Sequence, residues 1–557
     1  MLFIGVVSFA LAVLTTIHGA AVPVARVAPI PSLLDISIQE LTDLLDSGVI
    51  TSYELVSLYL KRIGQVNDEL NAVLELSKEA LTIARQRDKE RISGFNRGLL
   101  HGIPILVKDN FATTDDMLTG AGSVCLAKSR PSKEATVVAK LRKAGAIIIG
   151  KTNMSEFASG RGNVTEGWSA RGNQTFGAYV EHQTACGSSS GSGVAASLGL
   201  AAGTLGTETA GSITCPAFVN NVVGIKPTVG LTSRFGVVPL TPRQDTTGPI
   251  AQCVADAALM LEVIASKDQN DNYTLLQPWD TPPSYRKALN ASALQGKRLG
   301  AVFMRENRLI DELFVNAHQI DRVLRDAVSE LEAAGANVVE VKLGIDGIPL
   351  RNSTQELGVK MSMYGVPDFA EGMKAYMESL VPDDKTPHTL SELLECMETD
   401  PDEFGSSVDF SGIRQIAQTN KTSGSIESWD AYSDAKGESR DMIFSPMKEL
   451  GLDALVMLID TAIIFTAASG LPIVTVPMGM LGDDASTVWD KHGKVIEEAP
   501  GFPLGLSFVA DQWTEHELIG YAYAYEQASQ KRRKMQPYIK FDLDLDSIIQ
   551  ETSKLDL

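Results

Sequence analysis

Apolar residues recur along the chain with two different spacings. Near the start the spacing is helical: Leu41, Leu44 and Leu45 follow Ser37-Ile38-Gln39-Glu40, and Leu58, Tyr59 and Ile63 follow Ser52-Tyr53-Glu54-Leu55. Each stretch predicts an amphipathic helix opened by polar residues, and the helical pattern continues over residues 71–91. The second spacing is a short unbroken apolar run, at residues 102–107, 146–150 and 222–228, which predicts buried strands. Residues 135–145 between the first two read as a helix closed by Gly145, so strand, helix and strand form a parallel crossover. Residues 190–200 and 254–266 read as helices, 470–477 and 505–509 as strands, and 515–531 as a final helix. This alternation predicts an α/β fold with a large mixed sheet covered by helices on both faces.

Between residues 267 and 445 the alternation breaks. An Asp/Asn/Pro-rich stretch (268–283) leads to one strand-helix-strand unit (298–303, 311–334, 337–341), and an irregular acidic section follows over 382–409. We read this region as an irregular, mostly helical, substrate-facing insertion without a core of its own. No internal repeat is visible.

The chain has 557 residues, 44% of them hydrophobic, enough for one large domain. A net charge of −20 and a pI of about 4.9 argue against nucleic acid or an anionic membrane as partner. The apolar run 2–15, followed by Gly19, Ala20 and Ala21, reads as a signal peptide over 1–20, leaving 21–557 as a single secreted domain, although no basic residue stands near Met1. No other run reaches the roughly 20 apolar residues of a membrane span. Asn-x-Ser/Thr sequons occur at Asn153, Asn163, Asn173, Asn272, Asn290, Asn352 and Asn420, of which Asn272, Asn290, Asn352 and Asn420 are the expected glycosylation sites. Five cysteines allow at most two bridges, and none of their spacings suits a metal.

Candidate chemistry gathers in Cys186-Gly187-Ser188-Ser189-Ser190-Gly191-Ser192-Gly193 and in Gly206-Thr207-Glu208-Thr209-Ala210-Gly211-Ser212-Ile213-Thr214-Cys215-Pro216. Hydroxyls and glycines alternate there without an aliphatic face, which implies tight turns where backbone comes close to something. Amide hydrolysis needs a nucleophile, a base and donors for the oxyanion. His101, His182, His318, His388, His492 and His516 all lie outside these motifs, so a Ser-His-Asp triad has no local signature, although such a triad is recognised by geometry rather than order.

A Lys after an apolar strand (Lys108), with Ser188 and Ser212 placed 24 residues apart, resembles the amidase signature family of serine hydrolases. Thr152-Asn153-Met154-Ser155-Glu156 and Gly167-Trp168-Ser169-Ala170-Arg171-Gly172 bring the likeness nearest to its peptide amidase branch. The resemblance covers about 35–265 and 450–540. It implies Ser212 as nucleophile, Ser188 as proton relay, neutral Lys108 as base, a cis Gly187–Ser188 bond, and an oxyanion hole of the Thr209, Ala210, Gly211 and Ser212 amides, with no cofactor and no metal. Burial at the end of an apolar strand suits Lys108, because it disfavours the ammonium.

Ser189, Trp168 and Arg171 are candidate substrate contacts; Ser188 or Ser189 could also cap the following helix, and packing or an ion pair is the other reading of Trp168 and Arg171. Arg234 and Asp245 look like framework. Glu208, Ala210 and Thr214 stand where the wider family has Asp, Gly and Arg; Glu208 and Thr214 agree with the peptide amidase branch, whereas Ala210 replaces an acidic residue of it. The implied substrate is a small-molecule or peptide amide, first a C-terminally amidated peptide. Aryl or fatty amides or an ester, an ammonia-supplying amidotransferase component with partner chains, and a catalytically silent secreted binding protein remain as alternatives. The oligomeric state is left open.

Overall fold

Eleven strands form one mixed sheet in the computed structural model, which describes residues 32–303, 314–343, 350–382, 386–404 and 409–547. In chain order the strands are β1 (Val73–Leu76), β2 (Pro104–Lys108), β3 (Ile147–Thr152), β4 (Gly203–Glu208), β5 (Val223–Lys226), β6 (Thr246–Ala251), β7 (Arg298–Ala301), β8 (Asn337–Glu340), β9 (Ala454–Met457), β10 (Ile473–Met480) and β11 (Pro503–Val509). Across the sheet they run β1-β3-β2-β4-β6-β5-β10-β11-β9-β7-β8. β2 is parallel to both β3 and β4, as the crossover requires. Every residue of β2, β3, β4, β6 and β11 is buried. Successive side chains point to opposite faces, so both faces of these strands are covered. The leader read over residues 1–20 lies outside the described residues. Among those described, no helix is long and apolar enough to cross a membrane.

Three local readings need correction. The helix Ser52–Leu70 is capped one residue earlier than its sequence suggested, by a reciprocal Thr51/Glu54 capping box. The helical pattern of 71–91 is interrupted: Asn71 adopts a left-handed conformation (φ 50°), and β1 runs antiparallel to β3 before the helix Ala80–Ile92 begins. The Asn67 side chain fixes this turn by bonding both Val73 N–H (2.7 Å) and Val73 C=O (2.8 Å). The acidic section 382–409 is largely helical, with Leu390–Thr399 capped by Thr389 and Pro401–Phe404 following.

The insertion is stitched into the body rather than appended to it. Its strands β7 and β8 extend the main sheet beside β9. Its helices Leu350–Glu378, Leu390–Thr399 and Ser411–Gln418 bury Phe369, Met373, Leu393, Met397 and Ile413 against Ala121, Met154 and Phe157 of the body. That core is shared, in keeping with an insertion lacking one of its own. A Cys125–Cys396 disulfide crosses the same junction. So does Arg161: fully buried, it bonds the equally buried Glu156 carboxylate, lies 3.7 Å from that of Glu403, and donates to the Glu403 carbonyl at 2.9 Å. Glu403 in turn accepts from Ser123 Oγ and the Val124 N–H, each at 2.7 Å.

Candidate active site

Lys108 ends β2, and the parallel register that sets Val107 beside Leu205 brings it against Thr207 on β4. Its side chain is fully buried. Nζ lies 2.7 Å from Ser188 Oγ, 2.9 Å from Ser189 Oγ, 2.9 Å from Thr207 Oγ1 and 3.3 Å from the Thr207 carbonyl. Asp109 does not pair with it. That carboxylate is taken by Arg171 and by the Gly122 N–H at 2.8 Å. Burial in this hydroxyl-lined socket pushes the Lys108 ammonium down to about 7, against the opposing pull of Glu208, Asp245 and Glu166.

Lys151 and Lys226, also fully buried, are each pushed down to about 8 by desolvation. Both donate to backbone carbonyls, of Phe111 and Leu471. Geometry, not basicity, therefore singles out Lys108: it is the buried lysine that touches the serine loop.

The two Gly/Ser loops are bound to each other. The Cys186–Cys215 disulfide joins the residue two before Ser188 to the residue three after Ser212. Ser189 N–H donates to the Ser212 carbonyl at 3.0 Å, and the Gly187–Ser188 peptide bond is cis. The glycines mark close approaches: a Cβ on Gly187 would stand 2.1 Å from Glu166 Oε2, and one on Gly191 would stand 2.1 Å from the Ala72 carbonyl. Ser188 and Ser189 are fully buried, whereas Ser212 is 7% exposed.

The loop around Ser212 is shaped by Glu208. Its carboxylate accepts the N–H groups of Gly211 (2.9 Å), Ile213 (2.8 Å) and Thr214 (2.9 Å) together with the Thr214 hydroxyl. This corrects the expected oxyanion set, since the Gly211 amide is already engaged. The amides of Thr209, Ala210 and Ser212 remain without a protein acceptor among the described residues. Thr209 is held by its hydroxyl, which donates to Asp245 at 2.6 Å.

A cavity of about 520 Å³, lined in part by Asn110, Thr207, Thr209, Asp245 and Tyr376, meets a second of about 460 Å³, lined by Thr209, Ala210, Val366, Phe369 and Ile416. Thr209 and Leu240 belong to both. Ser212 itself lines neither; its neighbours in the loop do. Insertion residues such as Tyr376 and Phe369 thus line both cavities beside the Ser212 loop.

The three expected substrate contacts are each engaged by other protein groups. Ser189 belongs to the Lys108 socket and donates to the Thr207 carbonyl at 3.1 Å. It occupies the N-cap of Ser190–Ser197 without a side-chain capping bond, so the capping reading fails. Trp168 is buried with the Arg161 guanidinium 4.7 Å from its ring centre. Arg171 bridges Asp109 and Glu75, the latter at 2.9 Å. Neither lines the cavities at Thr209. Arg234 grips Asp271 through Nε (2.8 Å) and Nη2 (2.6 Å), in keeping with a framework role. Thr207, inside the second loop, and Asn110, two residues after Lys108, were assigned no role from the sequence; Asn110 donates to Thr207 Oγ1 at 2.9 Å.

An amidase family model matches residues 54–519. The "Putative amidase" of Arthroderma benhamiae is 37% identical over 549 residues, covering 92% of this chain and 88% of that protein. A glutamyl-tRNA(Gln) amidotransferase chain of Bdellovibrio bacteriovorus is 29% identical over 529 residues, covering 88% and 97%. The crystal structure of peptide amidase from Stenotrophomonas maltophilia superposes with a TM-score of 0.80 at 35% identity, covering 91% of this chain and 99% of that one. With the family model matching most of the chain and these relatives matching nearly all of it, the chain belongs to the amidase family and is an enzyme that hydrolyses amide C–N bonds.

Proposed function

We propose that the enzyme removes the C-terminal carboxamide of peptides through an acyl-Ser212 intermediate, with Ser188 as proton relay and neutral Lys108 as base. The observation that carries this reading is the 2.7 Å contact between Lys108 Nζ and Ser188 Oγ inside a fully buried socket. A neutral amine has a lone pair, and so can accept the Ser188 hydroxyl proton as well as donate to the other oxygens. Ser212 Oγ attacks the carbonyl carbon while its proton passes through Ser188 to Lys108, and the amides of Thr209, Ala210 and Ser212 take the oxyanion. The proton returns along the same path to the departing nitrogen, the C–N bond breaks, and ammonia leaves. Water then attacks the ester and its proton passes to Lys108; that proton returns through Ser188 to Ser212 Oγ as the ester C–O bond breaks, which frees the peptide acid and restores the Ser212 hydroxyl and neutral Lys108.

The likeness to peptide amidase supports the peptide acyl group. The direct test is ammonia release from amidated peptides, simple aliphatic and aryl amides, and a long-chain amide, with Ser212→Ala as blank. Release from peptide amides alone supports the reading; release only from aryl or long-chain amides overturns the substrate assignment while leaving the chemistry.

The same reading sets a pH dependence. Only neutral Lys108 can act as base, so kcat/KM is expected to be low in acid, to rise about tenfold per pH unit below about pH 7 and to level off above it. A profile without an ascending limb in that region would speak against Lys108.

We further propose that residues 1–20 direct secretion and that the exposed Asn272, Asn290 and Asn420 carry glycans. The Asn352 side chain lies outside the described residues. Glycopeptide mass mapping of the protein from culture medium tests both points.

A further inference from the structure

Beside the cavities at Thr209 lies a third hollow, of about 590 Å³, whose composition is unlike the rest of this acidic chain. Tyr273, Trp429, Tyr432 and Trp513 supply rings to its lining, Arg243 and Lys436 supply cations, and no Asp or Glu is among the lining residues. Trp429 is 51% exposed, and its ring stands 5.9 Å from that of Tyr432 in an edge-on arrangement.

The two cations differ. Arg243 is neutralised by Asp368 at 3.2 Å and lies 4.6 Å from the Trp429 ring centre, so it belongs to the floor. Lys436 forms no ion pair among the described residues, and its polar contact is the Tyr432 hydroxyl at 3.4 Å. Burial, and secondarily Arg440, hold its ammonium below the usual lysine range, which an anion beside it would reverse. The hollow also adjoins the site: Asn272 lines both it and the 520 Å³ cavity that reaches Thr207 and Thr209.

We propose that this groove is a distal subsite for the acyl part of the substrate, seating an aromatic side chain against Trp429 and Tyr432 and a neighbouring carboxylate on Lys436. The inference builds on the peptide-amide reading above and deepens it: preferred substrates are amidated peptides that carry an acidic and an aromatic residue some distance from the amide. Aromatic faces exposed around an unpaired cation fit such a group on both shape and charge.

The test compares kcat/KM for a single amino-acid amide with that for a longer amidated peptide bearing glutamate and tyrosine at its far end. Deglycosylated protein is used, so that carbohydrate on Asn272 does not stand in the junction. The ratio of long to short substrate is expected to fall about tenfold in Trp429→Ala and about threefold in Lys436→Gln, through KM rather than kcat. A ratio that stays within about twofold of the parent, or an equal loss for both substrates, overturns the proposal. Calorimetric binding of the same peptide to Ser212→Ala separates the two readings. If the parent turns over no peptide amide yet binding depends on Trp429 and Lys436, the substrate assignment fails and the groove stands. If the peptide does not bind, or binds equally well after Trp429→Ala, the groove fails.

Discussion

Replacing Ser212 by Ala is expected to lower kcat/KM for amide hydrolysis by about 10⁴-fold or more, with the fold intact. The loop does not depend on that hydroxyl. Glu208 holds the amides on either side of Ser212, and Ser189 binds the Ser212 carbonyl, which alanine keeps. Circular dichroism and the denaturation midpoint should therefore match the parent. Lys108→Met should be comparably inactive, and Ser212→Ala with Lys108→Met little worse than either alone, because groups that act as a unit lose their effect together. Steady-state ammonia release checks all three proteins, and a Ser212→Ala protein retaining a tenth or so of parental activity would exclude an acyl-Ser212 route.

Arg161→Met is expected to be the most damaging change away from the site, costing about 3–5 kcal/mol, because it strands buried carboxylates. Glu156 and Arg161 are both fully inaccessible, and Glu403 brings a second buried carboxylate from the insertion. The guanidinium also packs 4.5 Å from the Phe410 ring centre, so the change loosens the insertion where it meets the body. Burial, and then Glu403, hold the Glu156 carboxyl well above its usual range. The stranded acid can thus take up a proton that the unfolded chain would release, and the loss should shrink as pH falls. Urea titrations of the two proteins at neutral and mildly acid pH measure it. Partial recovery in Arg161→Met/Glu156→Gln would tie the cost to charge rather than to lost volume.

Much of the site was legible because its chemistry breaks the rules of packing. Ser188 and Ser212 stand in runs with no aliphatic face, and glycines such as Gly187 and Gly191 are forced by backbone and side chains about 2 Å from where a Cβ would sit. Lys108 alone was less distinctive than it looked. An apolar strand delivering a buried lysine occurs three times, at Lys108, Lys151 and Lys226, and only contact with the serine loop distinguishes the first.

What stayed hidden was tertiary. Arg171 and Trp168 meet Asp109, Glu75 and Arg161 rather than the cavities, and no spacing reveals such partners. The Gly211 amide was lost from the oxyanion set because a glutamate three residues earlier folds back onto it. The alternation of apolar runs announced a mixed sheet, yet could not show that β7 and β8 of the insertion would join its edge. In the acidic stretch 382–409, dense charge obscured a helix whose buried side is reduced to Leu393 and Met397, one turn apart.

The most direct measurement is covalent labelling of Ser212 by an irreversible serine-directed acyl or phosphonyl reagent, followed across about pH 6 to about pH 9 by mass spectrometry of the digested protein. Labelling isolates the attack from acyl-enzyme hydrolysis and product release. The expected result is a single adduct on the peptide that contains Ser212, formed at a rate that climbs through about pH 7 and collapses in Lys108→Met. An adduct on another residue, or a rate on Ser212 that is flat with pH and indifferent to Lys108, would contradict the proposed Ser212–Ser188–Lys108 chemistry.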